Sequence, residues 1–428
     1  MAADARLFAR RYLPIVMAPL VIALGVGCAA RAAGSTALPV VEVPQRHIRV
    51  AIAAEPGLVA LTHDGEWHLT DLAGRDVLRP AKRDGWSVER RGRRLRAVHA
   101  EGRTSPWVDS ALVLVLRQSE PNVVVNDHRY RGSLLYAATD SATLLVNVVA
   151  VESYLRGVVS LEIGARPPSD RAAVEAQAIV ARSFAFERMN SYQRREYDLT
   201  SLDLDQVYGG IAAETVQGDA AIAATRNLVM SYAGHAIGAP YHAMCGGSTA
   251  AASDVWTSGG VPYLRSASDR IPGTASSYCE IAPRFDWNRE FTAAALRDLA
   301  KVYLRRYATG STSVPGNVLD VQVVARTAEG RVAALAVSSD GGVFRLTGND
   351  IRHVLRGIGG DLLPSTYFSL DPVVSRDGKL TQLAVRGRGN GHGVGMCQWG
   401  AIGRARAGQD VRAILRAYFP VAELARGT

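Results

Sequence analysis

Alternating apolar and polar positions in the first part of the chain predict a series of short β-strands. Residues 47–52 (HIRVAI) and 111–117 (ALVLVLR) combine this alternation with β-branched side chains. Dipeptides typical of tight turns, such as Asp64-Gly65 and Glu101-Gly102, separate many of the runs. We therefore expect residues 47–128 to form a small β-rich domain, and we find no catalytic constellation within it.

The pattern changes near Ser133, where apolar strands begin to alternate with helices. Residues 133–139 and 143–150 read as apolar strands, and an alanine-rich stretch after two prolines reads as a long helix. Further helices are expected at 215–226, 291–304 and 411–419, with alternating strands across 318–346. The mixture predicts an α+β fold, in which residues 129–425 form one mixed module of helices and strands after the β-rich region.

The first residues match an export signal. Arg6, Arg10 and Arg11 precede an apolar run at 13–26, and small residues follow as far as Ala33. We expect residues 1–33 to be the signal and 34–46 a linker, which places the protein in the periplasm or cell envelope. An alternative is lipid modification of Cys28, although Gly25 stands where a lipobox has an aliphatic residue. That lipid would be the only membrane attachment.

Charge and cysteine content narrow the function classes. The formal charge is +9 over 428 residues, but the basic residues are scattered without interleaved aromatics, which argues against a nucleic-acid partner. In an oxidising compartment Cys245 and Cys279 are expected to pair, leaving Cys397 free. No CxxC or local Cys/His cluster has zinc spacing, so we expect neither a metal site nor a cofactor.

Glu162 is the acidic residue on which the functional argument depends. It ends an apolar run and precedes an irregular turn containing Gly164, Pro167 and Pro168. Desolvation there can raise the pKa of a carboxyl toward neutrality, as a general acid requires. Spacing alone also allows a solvated acid that caps the next helix. On that helix, Arg182 is either a structural strut or a substrate ligand, because a buried guanidinium needs a partner.

Two glycine-rich blocks lie far downstream. The turn Cys245-Gly246-Gly247 is flanked by His242 and Thr249, and its glycines allow backbone amides to approach a ligand. Glycines at 389, 391, 393 and 395 surround His392 and leave it and Gln398 projecting. This block matches neither a Walker loop nor a dinucleotide fingerprint. It suits a polysaccharide in a groove, or else an ordinary glycine-rich turn with a satisfied histidine.

Three segments together resemble the SpoIID family, which includes stage II sporulation protein D and amidase enhancers. They are residues 147–185 (NVVAVESYLRGVVSLEIGARPPSDRAAVEAQAIVARSFA), 241–250 (YHAMCGGSTA) and 391–401 (GHGVGMCQWGA). The resemblance implies lytic cleavage of peptidoglycan glycan strands, with Glu162 as the catalytic acid. It also implies a peptide-stripped substrate for the sporulation members. Their zinc-binding cluster is not carried over, because Thr200, Leu204 and Asp205 occupy the corresponding positions.

The implied chemistry needs one carboxyl if the muramic acid C6 hydroxyl supplies the nucleophile. Asp203 or Asp205 as a second carboxylate would instead make the enzyme a hydrolase. A non-catalytic glycan-binding enhancer of a cell-wall amidase is the alternative from another functional class. The candidate groove ligands are Arg182, Gln206, Tyr208, His242, Gly246, Gly247, Thr249, His392 and Gln398.

Overall fold

A computed structural model describes residues 46–427, except residues 56, 64–65, 82–83, 118–121, 192–195, 203–204, 257–258 and 358. The expected signal, Cys28 and nearly all of the expected linker lie outside this part of the chain. Helices and many strands are both present, which confirms the α+β fold. No helix within the described ranges has the length and apolarity needed to cross a membrane.

The elements follow the sequence pattern closely. The helices are α1 (Val151–Arg156), α2 (Val159–Ile163), α3 (Arg171–Ser191), α4 (Val216–Ala224), α5 (Ala252–Val255), α6 (Ala293–Leu299), α7 (Arg305–Tyr307), α8 (Asp350–Val354), α9 (Gln398–Arg406) and α10 (Val411–Tyr418). The strands of the first half are β1 (His47–Glu55), β2 (Val59–Ala60), β3 (Thr62–His63), β4 (Trp67–Thr70), β5 (Asp76–Leu78), β6 (Trp86–Arg91), β7 (Arg94–His99), β8 (Val108–Asp109), β9 (Ala111–Leu116), β10 (Asn122–Val125), β11 (His128–Arg131), β12 (Ser133–Ala138), β13 (Thr143–Ala150) and β14 (Leu199–Thr200). Those of the second half are β15 (Leu228–Tyr232), β16 (His235–Ala236), β17 (Tyr241–His242), β18 (Asp286–Thr292), β19 (Thr309–Gly310), β20 (Val318–Arg326), β21 (Val332–Ser339), β22 (Gly342–Thr347), β23 (Phe368–Val374), β24 (Leu380–Arg388), β25 (Met396–Cys397) and β26 (Glu423–Arg426).

One seven-stranded sheet joins the β-rich region to the segment that follows it. Its order is β14-β1-β13-β12-β9-β4-β5, antiparallel except for the parallel pair β1–β14. Strand β1 pairs along its length with β13, from His47 opposite Ala150 to Glu55 opposite Thr143. Strands on both sides of residue 128 therefore share backbone hydrogen bonds. Most buried side chains of this sheet belong to one large core, and a smaller separate cluster contains Ala111, Leu135, Ala137 and Val146.

Helix α3 packs at the centre of this core. It contacts α2, α4, α9, α10 and β15. Its alanines at 173, 176, 178, 181 and 185 are fully buried. Small side chains let neighbouring backbones approach closely, as the alanine content predicts. The helix is therefore a scaffold for the elements around it, which include α2 of the first motif block and α9 of the last.

Strands β18–β24 and helices α6–α8 surround a second hydrophobic core. Phe291, Leu304, Leu335, Phe344 and Leu383 are among its buried members. The predicted alternating strands across 318–346 form the antiparallel arrangement β20–β21–β22. The predicted helix at 291–304 begins one residue after Thr292, whose side chain caps it.

The glycine-rich run 389–395 packs against the segment that contains β17. All four glycines in the run have positive φ. A Cβ at Gly395 would collide with the Pro240 carbonyl oxygen, and one at Gly391 would lie 2.7 Å from the His242 Cβ. Immediately after this run in the chain, β25 pairs in parallel with β17. These glycines therefore admit another part of the protein, and the opening for a ligand that we expected there is filled by the 240–246 segment.

Replacing Gly395 tests this close approach. Gly395→Ala should lower the free energy of unfolding by more than about 3 kcal/mol, because positive φ and a backbone collision act together. Gly378→Ala is the matched control, since its φ of 76° is close to the 74° of Gly395 but nothing lies within 4 Å. It should cost about 1–2 kcal/mol. Denaturant unfolding of both variants measures the difference, and equal losses would contradict the packing described.

Candidate active site

Glu162 lies in the last turn of α2, at a partly apolar surface. Its neighbours Val159 and Ile163 are buried, whereas Leu161 is 46% exposed. The amide of Val207, itself 39% exposed, donates to Glu162 Oε1 at 2.9 Å. The helix stops at Gly164, which has φ 78° and ψ 168°. Glu162 is thus half-buried and fixed in position, while Leu161 and Val207 beside it remain exposed.

Tyr241 is the functional residue that sequence reasoning missed. Its hydroxyl accepts from Gln206 Nε2 at 3.1 Å and interacts with the Glu162 carboxylate, and the residue as a whole is half-buried. Burial, with the nearby charge of Glu162, raises the pKa of Tyr241 well above its ordinary value, so the hydroxyl stays protonated. Tyr241 opens the YHAMCGG block, in which the sequence pattern indicates His242, Gly246 and Gly247 but gives no reason to single out Tyr241.

Gln206 extends the network away from the surface. Its side chain is fully buried, and its Oε1 accepts from the Tyr154 hydroxyl at 3.0 Å. Its Nε2 also donates to the Ala181 carbonyl at 3.4 Å. Gln206 was predicted as a groove ligand, but its polar groups are committed to Tyr241, Tyr154 and α3. It orients the tyrosine that contacts Glu162.

The two histidines of the motif blocks support the backbone below Tyr241. His392 Nε2 donates to the Tyr241 carbonyl at 2.9 Å, and its Nδ1 accepts from the Val394 amide at 3.0 Å. Burial and the charge of Arg352 lower the pKa of His392 to about 4, so the ring is neutral near pH 7. His392 is half-buried and acts on Glu162 through Tyr241.

His242 lies beside His392, with the ring centroids 5.4 Å apart. Its Nδ1 donates to the Val394 carbonyl at 3.1 Å, and burial lowers its pKa well below the ordinary value. Nε2 has no hydrogen-bond partner within the described part of the chain. The ring is neutral and 4% exposed, so its contribution to the site is structural packing beneath the strand.

Gln398 connects the last motif block to the catalytic candidate. It is the first residue of α9, and its Nε2 donates to the Glu162 carbonyl at 3.0 Å and to Gln177 Oε1 at 3.3 Å. It is only 7% exposed. Gln398 therefore holds the end of α2, and this contact explains why a polar Gln177 stands on the buried face of α3.

Arg182 is a strut, one of the two alternatives that the sequence left open. It is fully buried, and Nε and Nη2 each donate to the Glu152 carboxylate at 2.8 Å. Nη1 donates to the Leu228 carbonyl at 3.0 Å. All of its contacts are internal, so the guanidinium joins α1, α3 and β15 and does not face a groove.

The remaining predicted ligands are also buried. The Tyr208 hydroxyl donates to Asn147 Oδ1 at 2.8 Å, and Thr249 Oγ1 accepts from the Ala267 amide at 2.7 Å. Gly246 packs against the backbone of Arg388, and Gly247 lies beside Ser277. These residues belong to the buried part of the protein, and none of them forms the exposed surface beside Glu162.

Two half-buried tryptophans, Trp256 and Trp399, contact residues of the motif blocks. Trp256 packs on His392 with ring centroids 5.3 Å apart. Trp399 follows Gln398 and carries the Arg166 guanidinium 4.8 Å above its ring. Arg166 in turn donates to the Ile163 carbonyl, one residue after Glu162. An apolar ring beside a cation can contact a sugar face and its hydroxyl or carboxyl groups.

The contacts of Asp205 do not place it as a second acid beside Glu162. Its Oδ2 accepts from both the amide and the hydroxyl of Thr200 at 2.9 Å, and Oδ1 lies 3.6 Å from Arg188 Nε. Both carboxylate oxygens therefore stabilise the loop. Asp203, the other candidate, and Leu204, at one of the family's zinc positions, lie outside the described residues.

The disulfide expected between Cys245 and Cys279 is absent from the described structure. Both cysteines are free thiols, as is Cys397, and the Cys245 and Cys279 sulfurs are 3.5 Å apart. A disulfide requires about 2.05 Å. The three sulfurs lie together with Asp269 in a cluster that local spacing did not reveal, because its members come from distant segments.

Comparisons with known proteins agree with the motif blocks. The model of the SpoIID family, described as stage II sporulation protein, matches residues 139–232, and that of a domain of unknown function (DUF8618) matches 274–395. Stage II sporulation protein D of Bacillus subtilis is 29% identical over 65% of this chain and 75% of its own length.

Two further relatives extend the comparison. The amidase enhancer of Bacillus subtilis is 28% identical over 62% of this chain but only 39% of its own length. An uncharacterized protein of Brachyspira hyodysenteriae is 28% identical over 71% of this chain and 74% of its own length. Together, these matches show that the chain carries a segment of the SpoIID family and is similar, over more than half of its length, to stage II sporulation protein D and to an amidase enhancer.

Proposed function

We propose that the protein is exported to the cell envelope and cleaves peptidoglycan glycan strands as a lytic transglycosylase, with Glu162 as its single acid–base residue. The observation that carries the proposal is the placement of this carboxylate. It lies at a partly apolar surface, held by the Val207 amide, the Tyr241 hydroxyl and, through its backbone, Gln398. The raised pKa expected for Glu162 remains part of the proposal.

The reaction can be written with one carboxyl. Protonated Glu162 donates to the bridging oxygen as the bond from the muramic acid C1 to that oxygen breaks. The C6 hydroxyl of the same muramic acid then closes on C1, and its proton passes to the Glu162 carboxylate. No water is consumed, and the carboxyl is regenerated. The products are a 1,6-anhydro end and a new non-reducing end.

The hydrogen-bond network suits both halves of this cycle. When Glu162 is ionised, the Tyr241 hydroxyl and the Val207 amide stabilise the negative charge. Because Gln206 and His392 fix the side chain and backbone of Tyr241, that donor needs little rearrangement. The engagement of Asp205 with Thr200 and Arg188 favours this route over a hydrolase, which needs a second carboxylate about 5–9 Å away.

The alternative is a glycan-binding enhancer of a separate cell-wall amidase. The similarity to the amidase enhancer of Bacillus subtilis favours considering it. Stem-peptide release by an added cell-wall amidase can be measured with and without the protein. Enhancement that survives Glu162→Gln, without glycan cleavage by the parent protein, would support the alternative. For the measurement of glycan cleavage, purified strands should be supplied both intact and peptide-stripped.

Glu162→Gln should abolish the release of glycan fragments while binding to glycan strands persists. Loss of an acid–base group lowers the rate about 10²- to 10⁴-fold or more, whereas glutamine retains size and polarity. The release of soluble fragments and co-sedimentation with insoluble peptidoglycan measure the two properties. Glu423→Gln, at an exposed position on β26, is the control and should be indistinguishable from the parent. Unchanged cleavage by Glu162→Gln would refute the assignment.

Tyr241→Phe should slow cleavage roughly ten- to a hundredfold, because a donor beside the carboxylate is lost and Gln206 loses one of its hydrogen-bond partners. The hydroxyl favours ionised Glu162, so its removal raises the pKa of that carboxyl relative to the parent protein. The limb of the pH–rate profile that reports Glu162 should therefore move to higher pH. Tyr232→Phe, on β15, is the control. A parental profile for Tyr241→Phe would show that the contact has no role in catalysis.

A further inference from the structure

Three cysteines and one aspartate from separate segments converge behind the active site. Cys245 follows β17, Asp269 and Cys279 lie in the connection between α5 and β18, and Cys397 ends β25. One ligand atom from each residue can be chosen so that all lie within 4.8 Å of one another. All four side chains are fully buried. Their charge is therefore shielded from water and must be balanced inside the protein.

The spacing of these atoms fits a tetrahedral metal centre. The Cys245 and Cys279 sulfurs are 3.5 Å apart, and Asp269 Oδ2 lies 3.5 Å from the Cys245 sulfur. Zinc–sulfur bonds of 2.3 Å in a tetrahedron place the sulfurs about 3.8 Å apart, and sulfur–oxygen edges are slightly shorter. Small rotations about the side-chain torsions would bring the four ligand atoms from their observed positions to this tetrahedral spacing.

Backbone amides are already directed at the sulfurs. The amides of Cys245 and Gly400 each donate to Cys397 Sγ at 3.2 Å. Cys397 also caps the N-terminus of α9, a helix of nine residues. Amide donors and a helix N-terminus stabilise a thiolate, the form that binds a metal.

The fourth residue is oriented as a ligand with an outer hydrogen-bond shell. Asp269 Oδ1 accepts from the Tyr418 hydroxyl at 2.7 Å and from Arg404 Nε at 3.2 Å. This leaves Oδ2 facing the Cys245 sulfur. Carboxylates that ligate metals are commonly held in this way, with one oxygen fixed by neighbouring donors.

The surrounding charges also balance if a divalent cation is present. Arg331 is buried without a carboxylate partner in the described part of the chain, and its Nη2 donates to the Cys245 and Ser248 carbonyls. Three thiolates and one carboxylate would carry four negative charges. One divalent cation with the guanidiniums of Arg331 and Arg404 supplies four positive charges. Without the cation the thiols would keep their protons, so the three thiolates form only when the metal replaces those protons.

We propose that Cys245, Asp269, Cys279 and Cys397 bind one zinc ion as a closed structural site. Thiolate-rich tetrahedral sets select zinc, and four protein ligands leave no position for substrate. The site differs from the zinc cluster of the sporulation members, whose positions here are Thr200, Leu204 and Asp205. It does not depend on glycan cleavage, because its role is to join the β17 turn to the start of α9, where Gln398 holds Glu162.

Metal content after purification without chelators tests this site. The parent protein should retain about one zinc per chain through exhaustive dialysis, and Cys279→Ser and Asp269→Asn should lose at least tenfold in retained zinc. Thr274→Ala, an exposed change in the same connection, is the control and should retain the parental amount.

A second readout applies even if the ligand variants fail to fold. Titrating the sulfurs of the parent protein with a mercurial reagent should release the zinc to a chromogenic chelator. Protein loaded with Co²⁺ should show thiolate-to-metal charge-transfer absorption and the visible bands of a tetrahedral centre. Parent protein that retains no zinc and gives no such spectrum with Co²⁺ would overturn the proposal. So would an intact mass two hydrogens lighter together with a peptide map that assigns the disulfide to two of the cluster cysteines.

Discussion

The close contact between the run 389–395 and the segment 240–246 is the constraint on which the site depends. Side chains at Gly391 or Gly395 would occupy space that His242 and Pro240 fill. With glycine at these positions, β17 and β25 pair in parallel. This pairing brings Tyr241 from one segment and Gln398 from the other to the same short helix, so Glu162 is held by residues that lie more than 150 positions apart.

Most polar residues around Glu162 act through the protein's own backbone. His392 fixes the Tyr241 carbonyl, Gln206 fixes the Tyr241 hydroxyl, and Gln398 fixes the Glu162 carbonyl. A buried network that is satisfied in this way keeps its geometry when a polymeric substrate approaches. The substrate itself would meet the exposed parts of this region, where Leu161 and Val207 flank the carboxylate.

Sequence patterns predicted the strands and the alanine-rich helix because periodicity and propensity are local properties, whereas the choice of Glu162 rested on the family resemblance. They could not show whether the glycines of 389–395 make room for a ligand or for another part of the protein, since that depends on Pro240 and His242 packed against them. Tyr241 gave one signal, its place in a motif block, but its bond to Glu162 is a tertiary contact. The sulfur cluster was missed for the same reason, because 34 residues separate Cys245 from Cys279 and 152 separate Cys245 from Cys397.

Mass analysis of the glycan ends released from purified strands tests the central claim most directly, because a single carboxylate and an internal nucleophile leave a distinctive product. The account predicts 1,6-anhydromuramic acid ends, lighter by one water than hydrolytic ends, from the parent protein. Reducing ends that incorporate labelled oxygen from the solvent would contradict the single-carboxylate mechanism. The absence of released ends on both intact and peptide-stripped strands would contradict the assignment as an enzyme.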